Sequence, residues 1–167
     1  PADDYQGLFG ITGADVILQN LTVTNIDIVA ASYSGGMVGR SYGVVTNCSA
    51  YGRMVGTYMV GGVAGCAEGA LLACANHAEV SGLNGIGGVA GLVRGEMARC
   101  HNSGTVRGAN DVGGIAGYAA ADMTSCANAG AVNATEGERT GGVAGSCGGD
   151  IFGCRNSGNV SGPSTTG

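Results

Sequence analysis

Five glycine pairs recur in a fixed register, and that register constrains the fold more than any other feature of the chain. The pairs begin at Gly35, Gly61, Gly87, Gly113 and Gly141, and they open the pentapeptides GGMVG, GGVAG, GGVAG, GGIAG and GGVAG. The first three intervals are 26 residues and the last is 28. A period in this range marks a solenoid, whose repeats bury their apolar face only by stacking on one another. With the first glycine of each pair as position 0, cysteine stands at position 13 in every repeat: Cys48, Cys74, Cys100, Cys126 and Cys154. Asparagine follows two residues later as Asn76, Asn102, Asn128 and Asn156, with Ala50 the exception. Position 17 is small (Gly52, Ala78, Gly104, Gly130, Gly158) and position 19 apolar (Met54, Val80, Val106, Val132, Val160). Position 10 is also apolar throughout, from Val45 to Ile151.

Between these anchors apolar and polar residues alternate over short runs, as in Cys100-His-Asn-Ser-Gly-Thr-Val106, and no segment carries a 3.6-residue period. The pattern predicts an all-β chain. Glycines bounding each run predict turns, on the ground that only glycine takes positive φ without strain. Three short strands and three turns fit a coil of 26 residues, so the expected fold is a parallel β-helix, or β-solenoid, of five to six coils. Right-handed crossover between parallel strands favours the right-handed form. Stacking near 4.8 Å per coil makes a rod roughly 25–30 Å long.

Composition agrees with a packed chain. The 167 residues include 35 glycines and only 11% charged side chains, yet 44% are hydrophobic and mean hydropathy is +0.22, which argues against a solvated coil. A net charge of −5 and seven scattered arginines leave no electrostatic footprint for nucleic acid. No apolar run approaches the roughly 18 residues of a membrane span, so direct membrane insertion is not expected. Residues 1–6 read as an N-terminal segment, 7–162 as one solenoid domain with coils starting near 7, 35, 61, 87, 113 and 141, and 163–167 as a tail. In the first coil Asn20-Leu21 takes the place of Asn47-Cys48. No cap is visible after Val160, and the chain opens on Pro1 without Met. Both features read as a piece of a longer protein that continues into further coils or domains.

The units GGMVGRSYGVVTNCSAYGRMVG and GGVAGLVRGEMARCHNSGTVRG resemble the bacterial GLUG repeat, with its G-G-L-V-G, then N-C, then G-x-V. The opening Gly7-Leu-Phe-Gly10 is similar to the start of such arrays, and the resemblance covers about residues 7–162. It implies an extracellular β-solenoid of a large secreted or surface-attached bacterial protein, of the adhesin-like or immunoglobulin A-cleaving metalloprotease kind. The implied role is a stalk or presentation scaffold. A glycan- or host-protein-binding module and an accessory region of a secreted metalloprotease are the alternatives. The family supplies no catalytic residues to carry over, and here the second apolar residue is Ala in four coils.

Candidate sites are few. The cysteine column reads as buried free thiols filling a core layer, with within-coil disulfides Cys66–Cys74 and Cys147–Cys154 as the alternative. The asparagine column reads as a structural ladder of stacked amides, each able to adopt the left-handed turn. His77 and His101 lie at positions 16 and 14, outside any HExxH pattern, so no catalytic residues and no cofactor are assigned. Glu96, Asp122 and Asp150 share position 9 as an acidic stripe, read as a solvated face in preference to a metal site. Tyr42, Tyr51 and Tyr58, crowded into the first regular coil, are the candidate contacts for a host glycan or protein. The insertion around Thr135–Arg139 predicts a protruding charged loop.

Overall fold

A computed structural model describes residues 4–136 and 139–163. The proposed segments 1–6 and 163–167 and the insertion loop therefore lie partly outside the described residues. Every described element is a strand, all pairings are parallel, and each coil stacks on the next in the register the glycine pairs predict. Gly61, for example, pairs with Gly35 on one side and Gly87 on the other.

Each coil crosses four sheets rather than three. Sheet A holds six strands, from Phe9–Thr12 and Val38–Ser41 to Ala144–Cys147. Sheet B runs from Ile17–Gln19 to Ile151–Phe152. Sheet C begins with the long strands Thr22–Val29 and Ser49–Val55, then continues as pairs of short strands such as Ala75–Asn76 with Glu79–Ser81. Sheet D runs from Ser32–Gly35 to Thr140–Gly141 and leads into the glycine pair. The glycine pair separates a sheet D strand from the sheet A strand that follows it, as Ser32–Gly35 is separated from Val38–Ser41.

The core is a bundle of residue columns. Position 2 (Met37, Val63, Val89, Ile115), position 10 (Val45, Leu71, Met97, Met123) and position 19 (Met54, Val80, Val106, Val132) are wholly buried through the central coils. The same columns surface at the last coil, where Ile151 is 47% and Val160 44% exposed. Burial here comes from having a coil on both sides.

The glycine columns owe their identity to close approach. None of the GGVAG glycines takes positive φ, contrary to the turn expectation. A Cβ on Gly35 would lie 2.5 Å from the Ala64 Cα, and one on Gly65 would strike the backbone of Tyr33 and Ser34. The same pattern sets Gly91 against Met59 and Val60, and Gly145 against Asp111 and Val112. Sheets A and D thus meet backbone to backbone, far inside the roughly 10 Å usual between faced sheets. Positive φ falls elsewhere, at position 12 (Asn47, Ala73, Arg99, Ser125, Gly153) and position −2 (Tyr33, Met59, Gly85, Asp111).

The first coil follows the same plan. Asn20 takes φ 57° where Asn47 takes 50°, and the Asn47 amide donates to Asn20 Oδ1 at 2.7 Å. One extra residue, taken up between Val23 and Ile26, bulges its sheet C strand. Ahead of it, Tyr5 donates its N–H to the Ser32 carbonyl and stacks on Tyr33.

Candidate functional site

The asparagine column is the best-defined polar array. Asn76 Nδ2 donates to Asn102 Oδ1, Asn102 to Asn128 and Asn128 to Asn156, each at 2.8 Å. Each amide also grips its own corner: Asn102 Nδ2 donates to the Gly104 carbonyl at 2.9 Å, and its Oδ1 accepts the Gly104 N–H at 3.1 Å. None of these asparagines has positive φ, so the left-handed expectation for them is corrected. The amide makes the corner by bonding the backbone two residues ahead, and this splits sheet C into short pairs. Where Ala50 replaces asparagine, the strand Ser49–Val55 runs on unbroken, with Gly52 inside it at φ 133°. The position-17 glycines share one steric cause. A Cβ on Gly130 or Gly158 would strike the carbonyl of the position-17 glycine one coil earlier.

All seven cysteines are free; the alternative disulfides Cys66–Cys74 and Cys147–Cys154 are not formed. Cys48, Cys74, Cys100 and Cys126 are buried and bond backbone carbonyls, as Cys48 does to Thr46 at 3.2 Å. Cys100 is held well above the usual thiol range by hydrogen bonds with Cys126 and Cys74 and by burial. Cys66 lies outside the column. Burial, then the charge of Glu68, pushes its thiol up to about 11.

Glu96, Asp122 and Asp150 lie exposed along the edge of sheet B, and Asp122 Oδ1 accepts the Asp150 N–H at 2.8 Å. Among the described residues no group of three or more His, Cys, Asp or Glu is placed to hold a metal ion. His77 stacks on Tyr51 at 4.4 Å and bonds Ser103 Oγ through Nδ1 at 2.7 Å; burial, then His101, pulls its pKa down.

The three candidate tyrosines do not converge. Tyr42 follows sheet A under the Arg40 guanidinium, 4.9 Å from it, whereas Tyr51 sits on sheet C and Tyr58 on sheet D. Tyr58 instead meets Tyr33 edge to face at 6.1 Å. These two rings belong to a groove of about 310 Å3 that runs along the coils above the glycine contact of sheets A and D. Tyr33, Tyr58, Met59, Asp111 and Arg139 line it from sheet D, and Leu92, Arg94 and Tyr118 from sheet A.

Its charges are paired. Arg139 reaches Asp111 through Nε at 2.5 Å and Nη2 at 2.8 Å, and Arg94 Nη1 donates to Glu68 at 3.0 Å. Glu68 also accepts from Arg40. Burial alone would raise the Glu68 pKa, but the Arg40 hydrogen bond and the Arg94 charge outweigh it and hold the carboxyl below its usual range.

Sequence reasoning missed Tyr33, Tyr118 and both arginines as one site. The signal lay in positions −2, 5 and 7, where no residue type recurs: Tyr33, Met59, Gly85 and Asp111 share one column, and Arg40, Cys66, Leu92 and Tyr118 another. Among the described residues no helix is long and apolar enough to cross a membrane. The chain matches no family model, no curated protein and no solved structure.

Proposed function

We propose that this β-solenoid is a non-enzymatic scaffold segment of a larger secreted or surface-attached bacterial protein, serving as a stalk or presentation surface. The observation that carries this reading is uniformity. The buried columns stay apolar from coil to coil and stack in one register, so the chain invests its sequence in a repeating rod. Such a rod sets distance and direction between whatever it connects. The GLUG-like units support the bacterial surface assignment, and the adhesive role is the form of it that a repetitive face suits.

Antibody raised against this segment should stain intact cells of the source bacterium, and brief protease shaving should remove the stain. Staining that needs permeabilised cells would overturn the surface assignment. Deleting one whole coil, residues 88–113, tests the scaffold role itself. The shortened chain should keep its all-β fold and unfold cooperatively, and loss of that fold would overturn the reading of the coils as interchangeable scaffold units.

A further inference from the structure

We propose that the groove between sheets A and D is a binding site for a neutral saccharide, of one or two pyranose rings. This goes beyond the scaffold role and does not depend on where the protein resides. A glycine column makes the groove, since Gly65, Gly91 and Gly117 let the two sheets touch and leave a crease that larger residues would fill. Its volume lies at the small end of ligand pockets, and its floor is apolar, with Leu92 only 5% exposed. Rings stand on both walls: Tyr58 is 41% and Tyr118 38% exposed, enough to offer a face to the C–H side of a sugar.

Polar groups complete the site. Asp111 and Glu68 are covered, with side chains 18% and 17% exposed, while Arg139 and Arg94 face outward at 55% and 53%. Asp111 takes two hydrogen bonds from Arg139 and fixes its plane, while Glu68 takes one from Arg94 and is shared with Arg40. The outcome is a set of donors each already engaged by an acceptor, so an incoming anion would meet a carboxylate beside each guanidinium. Vicinal hydroxyls both donate and accept, so this arrangement suits them better than it suits a carboxylate or phosphate. The cleft also follows the coil axis, so a linear oligosaccharide would lie along it.

Titration of the purified chain with lactose, cellobiose, maltose and mannobiose, followed by calorimetry and by tyrosine-ring NMR shifts, tests the site. At least one should bind with Kd below about 10 mM, a weak affinity that a small open cleft can supply. Tyr118→Ala should weaken that binding by at least about tenfold. Should Tyr118→Ala fail to fold, Tyr58→Ala on the opposite wall repeats the measurement, with an expected loss of about threefold or more. Tyr42→Ala and Tyr51→Ala, on other faces, should bind as the parent does. Three outcomes would overturn the proposal: no binding by any of the four sugars, binding that survives loss of either groove tyrosine, or an acidic sugar such as sialyllactose bound tenfold more tightly than lactose.

Discussion

Asn102 shows how much one side chain carries in this fold. Wholly buried, it receives Asn76, donates to Asn128 and closes both backbone groups of Gly104. Asn102→Ala strands several of these groups at once, where each unsatisfied buried group costs about 1–3 kcal/mol. We expect a loss of at least about 3 kcal/mol in urea unfolding. Asn156→Ala, at the exposed end of the same ladder, should cost under about 1 kcal/mol. Equal losses would mean that the ladder is not what holds the corner. Cys66 makes a pH-dependent contribution. Its thiol titrates near 9 when unfolded and is pushed up to about 11 in the fold. Below pH 9 both states keep the proton, and stability is unaffected. Above it the unfolded state releases the proton first, so stability falls as pH rises and levels off past 11. The loss is on the order of 2–3 kcal/mol. Cys66→Ala should show a shallower decline in Tm between pH 9 and 11. Parallel curves would sink this assignment.

At the scale of the element, the glycine pair makes the fold possible by being small. A Cβ on Gly88 would collide with the Gly114 carbonyl and the Asn102 amide, whereas one at Gly13 would meet nothing within 4 Å. Gly88→Ala should therefore cost about 3 kcal/mol or prevent folding, and Gly13→Ala should change stability by less than about 0.5 kcal/mol, both read from denaturant midpoints. The period, the stacking partners and the core columns were legible in the sequence because they repeat, and repetition shows as spacing. The boundary between sheets D and A was not, since a glycine pair looks alike in a turn and in a backbone contact. Left-handed residues were hidden for a related reason. Position 12 accepts Asn, Ala, Arg, Ser and Gly, so stacking between coils imposes the conformation there and composition does not mark it. The groove escaped for the opposite cause: its residues are the ones that fail to repeat, and no spacing connects Tyr33 with Tyr118.

For the molecule as a whole, the hydrogen bonds of four sheets all link one coil to the next, as Gly62 to Gly88 and Gly88 to Gly113 illustrate. They run along the length of the rod, and so does the asparagine ladder. A pull applied at the two ends would load these bonds in tension, row by row, instead of shearing many of them together. Once one coil gives way, its neighbour is held on one side only and yields next. Each released coil of 26 residues frees roughly 90 Å of extended chain, less the ~5 Å it occupied. Single-molecule stretching should therefore give a staircase of nearly equal increments, and one all-or-none rupture would contradict it. Under a drag load such a segment would lengthen in discrete steps and absorb energy at each one. Coils that reform when the load drops would make it a shock absorber whose step size is written in the spacing of its glycine pairs.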